Sequence, residues 1–462
     1  MYLTGNGLDH RSGEPVVPLL DADLVDSLIA ERLERRRAPA LLRSFTTTLA
    51  MEIQRMATPD PADPRAAGWT YMVAADDLRR AQIADALRPL ADHRGMADPA
   101  SPLVFPGSSA DWQTWLDVHH TFQQRRPLYV LIVGGPDLVP FDVQAFMDVS
   151  SAVGRVAFAD LGDLRAYVHK LLRLEAGDAS KHERTGVIFA PDAGHPDPTY
   201  FSRHQMAEPI ARILEHELNA RATRLFGDQA SKDAVLSSGS SRPALLYCAS
   251  HGAVAIGDTD AEQRRVTGAL CCQGFRGNGD ARALLTGADV PMSEPFFDGA
   301  VAVLFACCGY GTPAVSDFHH WIKDQAPERM AHSDLMAALP ERLLAHPAGP
   351  VAVVAHLDLA WMHGFTDPDD LRLGAVWSPR LVPFLTAVER LLRGLPVALA
   401  MARLNERVHE SDERIAELID ELYSGRTTST PEFRAKLGRT FVFRSDARNY
   451  MVLGDPAARV SM

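Results

Sequence analysis

Short, nearly continuous apolar runs recur along this chain, and they restrict the fold more than any other feature. They are Leu128-Tyr-Val-Leu-Ile-Val133, Val187-Ile-Phe-Ala190, Ala244-Leu-Leu-Tyr-Cys-Ala249, Val301-Ala-Val-Leu-Phe-Ala306 and Val351-Ala-Val-Val-Ala355. None approaches the roughly 18–20 residues of a membrane span. Strict alternation of apolar and polar residues would mean one wet face; continuous runs mean strands buried on both faces. Residues 161–175 place Leu164, Val168, Leu171 and Leu172 at helical spacing, and 206–218 reads as a further helix. Trp69-Thr-Tyr-Met-Val-Ala74 is another short strand, followed by a helix over 76–88 that Pro89 should end. Alternating strands and helices predict an α/β protein with a mostly parallel sheet covered on both faces and right-handed crossovers. Four regions follow. Residues 1–65 read as a largely helical, charged region that ends in the Pro-rich linker Thr58–Pro64. Residues 66–180 and 181–365 read as two α/β subdomains of similar build, and 366–462 as a helical region with a closing strand.

The chain has 462 residues and a net charge of −12, which argues against generic nucleic-acid or anionic-membrane binding. Its first residues have no basic segment and no apolar core, unlike a secretory signal. Five cysteines, four of them in the adjacent pairs Cys271-Cys272 and Cys307-Cys308, do not resemble a disulfide framework. A reducing cytoplasm is the expected setting.

Two of the apolar runs deliver reactive side chains. Tyr247-Cys-Ala-Ser-His-Gly252 brings His251 to a strand end, and Val303-Leu-Phe-Ala-Cys-Cys-Gly-Tyr-Gly311 brings Cys307 to another. In open α/β sheets, ligands bind outside the carboxyl ends of the strands. A thiol needs a base or a positive environment to become a nucleophile, and an imidazole supplies one. Gly252 allows close backbone approach, and its N–H could hold an oxyanion. The plainer reading is that a cysteine ending a buried strand is simply a small hydrophobe. Other motifs fall short. His319-His320, His363 and Cys271-Cys272 lack any zinc-ligand spacing. Val133-Gly-Gly-Pro136 lacks a phosphate-loop ending, and Ser237–Ser241 is a loop, not a nucleophile elbow. Arg35-Arg-Arg37 reads as a solvated helix face or a cleavage point. No metal or cofactor is called for.

The Ser-His-Gly and Ala-Cys contexts resemble the caspase-like superfamily of cysteine peptidases, and the order of motifs is closest to its gingipain-like family. Leu131-Ile-Val-Gly-Gly-Pro-Asp-Leu-Val-Pro-Phe141 and Asp148-Val-Ser-Ser-Ala-Val-Gly-Arg-Val156 resemble the family's first subdomain. Val351 to Trp361 resembles the strand after its nucleophile, and Leu453-Gly-Asp-Pro456 its closing motif. The resemblance spans roughly 66–462. It implies a three-layer α/β/α caspase-like sandwich and a cysteine endopeptidase acting on protein or peptide substrates. His251 would be general base and Cys307, preceded by Ala306, the nucleophile. The N–H groups of Gly252 and Cys307 would form the oxyanion hole, Trp361 would wall the primary pocket, and Asp192 would support the histidine. The family's pocket aspartate aligns with Ser202-Arg203 here. Arg203 would favour acidic P1 residues, whereas Asp317 or Asp258 would favour basic ones. The segment 258–295 is longer than in the family and reads as a substrate-side or regulatory loop, a candidate for self-cleavage, or as a solvated insertion. A cytosolic peptidase would need latency, relieved by a partner protein or a cut, with residues 1–65 as the candidate control. The alternative is a catalytically silent, caspase-fold interaction module.

Overall fold

A computed structural model of the chain describes residues 2–3, 5–17, 20–21, 60–107, 127–148, 150–177, 181–277, 280–319, 329–367 and 378–462. Arg35–Arg37 and His320 lie outside these residues. One ten-stranded sheet organises the molecule. Its strands are β1 (Trp69–Ala74), β2 (Leu103–Phe105), β3 (Tyr129–Val133), β4 (Ala152–Val156), β5 (Thr185–Ala190), β6 (Arg221–Phe226), β7 (Leu245–Ala249), β8 (Val301–Phe305), β9 (Ala352–His356) and β10 (Tyr450–Gly454). In space they run β2-β1-β3-β4-β10-β9-β8-β7-β5-β6. Every pairing is parallel except β9 with β10.

The continuous apolar runs have the predicted cause. In β1 and β3, Tyr71, Val73, Leu131 and Val133 join one cluster with Ile83, Leu87 and Leu90 of the helix Arg80–Arg94. Their sequence neighbours Met72, Ala74, Val130 and Ile132 join another with Val143 and Met147 of the helix Phe141–Met147. Successive side chains thus enter two cores on opposite faces, which is why these strands are almost continuously apolar, with Thr70 the polar position in β1. This is a three-layer α/β/α sandwich.

The two halves are wound alike. Counting strands within each half, β2-β1-β3-β4 and β6-β5-β7-β8-β9 both begin in the order 2-1-3-4. Because β10 is antiparallel to β9 yet parallel to β4, the halves run in opposite directions, and their carboxyl edges lie on opposite sides of the sheet.

The tail that follows β10 pins the first half. Asp455 accepts from Trp69 Nε1 at 2.9 Å and Arg94 Nε at 2.8 Å, and Arg94 also makes two 2.6 Å bonds to Glu175. A Cβ at Gly154 would strike the Gly454 carbonyl and come within 3.0 Å of Pro456, which is the physical reason for a glycine before Arg155. Arg155 itself is fully buried and donates to the carbonyls of Gly134 (2.9 Å) and Val139 (2.8 Å) and to Gln144 Oε1 (2.9 Å).

The described part of 1–65 is not helical until Pro64. Gly7–Asp9 is a strand that pairs in parallel with Gly252–Val254. It completes a small four-stranded sheet whose other members, Leu270–Cys271 and Leu284–Leu285, come from the 258–295 segment. Gly7–Asp9 departs from the helical expectation because its partners lie some 245 residues away, beyond the reach of local pattern; residues 22–59, on which most of that expectation falls, lie outside the described residues. Beyond 378 the chain forms the helices Val382–Leu392, Val397–Tyr423 and Pro431–Arg448 before β10. Among the described residues, no helix is long and apolar enough to cross a membrane.

Candidate active site

The strand order reverses between β5 and β7, which is where a crevice opens outside the carboxyl ends of a doubly wound sheet. The loops after β5, β7 and β8 supply Asp197, His251 and Cys307. Register aligns the last two. Ala249 of β7 pairs with Phe305 of β8, and the Ser250 N–H continues the ladder to the Phe305 carbonyl at 3.0 Å. His251 and Cys307 each lie two residues beyond that pair.

His251 is almost wholly buried. Its main-chain carbonyl accepts from the Cys271 N–H at 3.0 Å. Its Nε2 lies 3.0 and 3.1 Å from the two carboxylate oxygens of Asp197. Its Nδ1 is buried with no hydrogen-bond partner. Asp197 caps the helix Pro198–Ser202, accepting from the Thr199 N–H at 2.8 Å and from the Thr199 hydroxyl. Burial alone would raise its pKa. The His251 contact and the Thr199 bonds outweigh that and hold the carboxyl below its ordinary value.

Asp192, the carboxylate expected beside the histidine, is not there. It pairs with Arg203 at 2.7 Å and accepts from the Gly194 N–H at 2.9 Å. The His251 partner is Asp197, in the same loop. Its signal was legible: Asp-Pro-Thr, a capping aspartate followed by proline at the first helical position, marks a fixed carboxylate at a helix start.

Cys307 is fully buried. Its Sγ accepts from the Ala360 N–H at 3.1 Å. Burial and the neighbouring Cys308 push the thiol well above its ordinary pKa, and the Ala360 bond only partly offsets this. The next residue turns sharply: Cys308 has φ +55°, and its N–H donates at 2.7 Å to the carbonyl of Asp358, itself at φ +65°. Non-glycine residues in this region cost of order 1 kcal/mol or more, and such strain gathers where geometry must be held for a task. Gly252 backs directly onto Cys307. A Cβ there would collide with the Cys307 carbonyl and lie 3.0 Å from its backbone nitrogen.

Of the other expected residues, Trp361 directly follows Ala360, whose N–H meets Cys307 Sγ, and the charged ones are dispersed. Trp361 is buried against Phe318, ring centroids 5.0 Å apart, and its backbone forms an antiparallel bridge with Gly5. Asp317 is about half exposed beside Arg448, 3.5 Å away. Asp258 is buried and holds His10 at 2.7 Å and Arg11. Arg203 is engaged by Asp192. None of the three charged groups expected to select a charged P1 residue is unengaged. All five cysteines are buried and unpaired, and among the described residues no group of three metal-ligating side chains forms.

No family model matches the chain, and no curated protein matches it in sequence. Three solved structures resemble it over most of its length. One is the complex of Porphyromonas gingivalis RgpB pro- and mature domains, with 12% identity over 85% of this chain and 80% of that one, TM-score 0.47. Another is the Arg-specific cysteine proteinase gingipain R, with 13% identity over 87% and 79%, TM-score 0.45. The third, described only as a protease, has 11% identity over 85% and 78%, TM-score 0.48.

Proposed function

We propose that the chain is a caspase-like cysteine endopeptidase in which Cys307 is the nucleophile and His251 the general base. The observation that carries this is the Asp197–His251 pair, in register with Cys307 on the next strand, with Nδ1 left unpartnered. With the Asp197 carboxylate accepting from Nε2–H, the lone pair of the imidazole is on Nδ1. That nitrogen takes the thiol proton as Sγ attacks the scissile carbonyl. The N–H groups of Gly252 and Cys307 hold the developing oxyanion. His251 returns the proton to the departing amine, and water hydrolyses the thioester. Trp361 walls the P1 pocket in this reading. Five unpaired cysteines fit a reducing compartment such as the cytoplasm.

One observation favours the silent module or a latent form: the thiol is buried and resists ionisation as it stands. Latency, relieved by a partner protein or a cut, is the form proposed. The test is a peptide-library cleavage profile of wild type, Cys307→Ala and His251→Ala. Hydrolysis by wild type, lost with Cys307→Ala and reduced about 10²–10⁴-fold with His251→Ala, is expected. Equal hydrolysis by wild type and Cys307→Ala would refute the assignment.

A further inference from the structure

Residues Gly5–Gly7 cross the candidate site in the manner of a bound peptide. Gly5 bridges Trp361 in antiparallel fashion, and the Asn6 N–H donates to the Ala360 carbonyl at 3.0 Å. The Asn6 carbonyl accepts from the Gly252 N–H at 2.8 Å, the donor assigned above to the oxyanion. Gly7 then packs on the nucleophile: a Cβ there would stand 3.5 Å from Cys307 Sγ and 3.4 Å from its Cβ. The peptide bond between Asn6 and Gly7 therefore runs beside the Cys307 side chain, with its carbonyl on the oxyanion donor. Downstream, Gly7–Asp9 pairs with Gly252–Val254, and His10 and Arg11 anchor on Asp258.

We propose that Asn6–Gly7 is a bond this chain presents to its own active site, that Cys307 cuts it, and that the P1 pocket takes an uncharged carboxamide side chain. The proposal rests on the peptidase reading above. Asn6 is completely buried, with both side-chain amide atoms unpartnered. The loop that pairs with Gly5 and Asn6 carries further buried polar atoms without partners, namely Trp361 Nε1, both ring nitrogens of His363 and Thr366 Oγ1. These are neutral donors and acceptors, and none of them bonds the Asn6 amide as the structure stands. Three charged groups are occupied elsewhere: Asp258 by His10 and Arg11, Asp317 by Arg448 and Arg203 by Asp192; a fourth, Asp446, accepts from the Trp361 N–H and faces His356 with one oxygen while its other oxygen is buried without a partner.

The step balances with water as the only co-reactant. Cys307 Sγ bonds to the Asn6 carbonyl carbon as its proton passes to His251, and the bond to the Gly7 nitrogen breaks as that nitrogen takes the proton. Water then releases the Asn6 carboxylate and restores the thiol. Before the cut the segment covers Cys307, which accounts for a fully buried nucleophile. After it, the residues up to Asn6 can leave, while Gly7 onward stays paired to Gly252–Val254.

The test incubates purified full-length wild type and Cys307→Ala, then reads intact mass and N-terminal sequence. Coumarin-amide reporters Leu-Thr-Gly-X, with X Asn, Lys or Asp, are assayed on both chains and on Asn6→Lys, whose charged side chain should expel the segment. A new N-terminus Gly7-Leu8-Asp9 in wild type only is expected, together with preference for the Asn reporter. Asn6→Lys should stay uncut and hydrolyse the Asn reporter at least 10-fold faster than any uncut wild type. Cys307→Ala separates enzymatic cutting from the spontaneous breakdown of an Asn-Gly pair. Cys307-dependent hydrolysis of the Lys or Asp reporter, with Asn6–Gly7 intact and the Asn reporter refused, would overturn the proposal and leave the peptidase reading standing. Absence of Cys307-dependent hydrolysis in every chain, Asn6→Lys included, would remove both.

Discussion

Gly252 shows how far single atoms decide this site. Its missing side chain is what lets the His251 strand end lie flush against the backbone of Cys307. Gly252→Ala should abolish turnover and destabilise the fold by about 1–3 kcal/mol, read from reporter hydrolysis and a denaturation curve; an active, fully stable variant would refute this geometry. In the proposed reading Asp197 acts through His251, as a positioning residue. Asp197→Asn should lower kcat far more than it changes KM. Asp197 is ionised in the fold below its ordinary value of 3.8, so its contribution to stability is present at neutral pH and lost as pH falls through the depressed value. The asparagine variant should therefore lose part of the stability gap between pH 7 and pH 3. At this scale the sequence placed His251, Cys307 and Gly252 just beyond strand ends, and the structure sets them at the ends of two paired strands, because strand ends beside glycine have a local signature. Sequence reasoning misplaced the carboxylate by five residues, choosing Asp192, because which loop residue meets a given histidine depends on the path of the loop and not on its composition.

The helices packed on the main sheet are held by buried polar groups as well as by apolar contact. Lys170, on the inner face of the helix Leu161–Glu175, donates to the carbonyls of Leu344 (2.7 Å) and His346 (2.9 Å). Burial pulls its pKa down to about 7. Between pH 7 and the ordinary lysine value of 10.5 the unfolded chain binds this proton and the folded chain does not, so folding stability should rise with pH across that window. Lys170→Met should flatten the rise, measured by denaturant midpoints at pH 7 and 9; an unchanged slope would contradict the assignment. The strands of the main sheet were legible as continuous apolar runs because both of their faces are buried. The strand Gly7–Asp9 was not, since it has only three residues and takes its partner from Gly252–Val254, far along the chain. The 258–295 segment, read as a loop or insertion, instead builds the small sheet that receives it.

The whole molecule is one sheet made of two oppositely directed halves joined through β10. The similar build of the two halves could be read from the sequence as a possible duplication. Their opposed direction could not, because it depends on how a terminal strand inserts between β9 and β4. Asp455 is the tie across that seam. Asp455→Ala leaves the buried Arg94 guanidinium with Glu175 and His93 nearby but no partner on the tail, and should cost about 3 kcal/mol, seen as a lowered Tm. Only the second half places a histidine, a carboxylate and a cysteine outside its strand ends at the point of order reversal, so the account stands or falls on the pairing of His251 with Cys307. Covalent labelling by an acyloxymethyl ketone carrying asparagine, applied to the Asn6→Lys chain and mapped by peptide mass spectrometry, tests it most directly. An adduct on Cys307, absent from Cys308 and strongly reduced by an added His251→Ala, is the predicted result. Labelling that falls on Cys308, or that proceeds equally without His251, would contradict it.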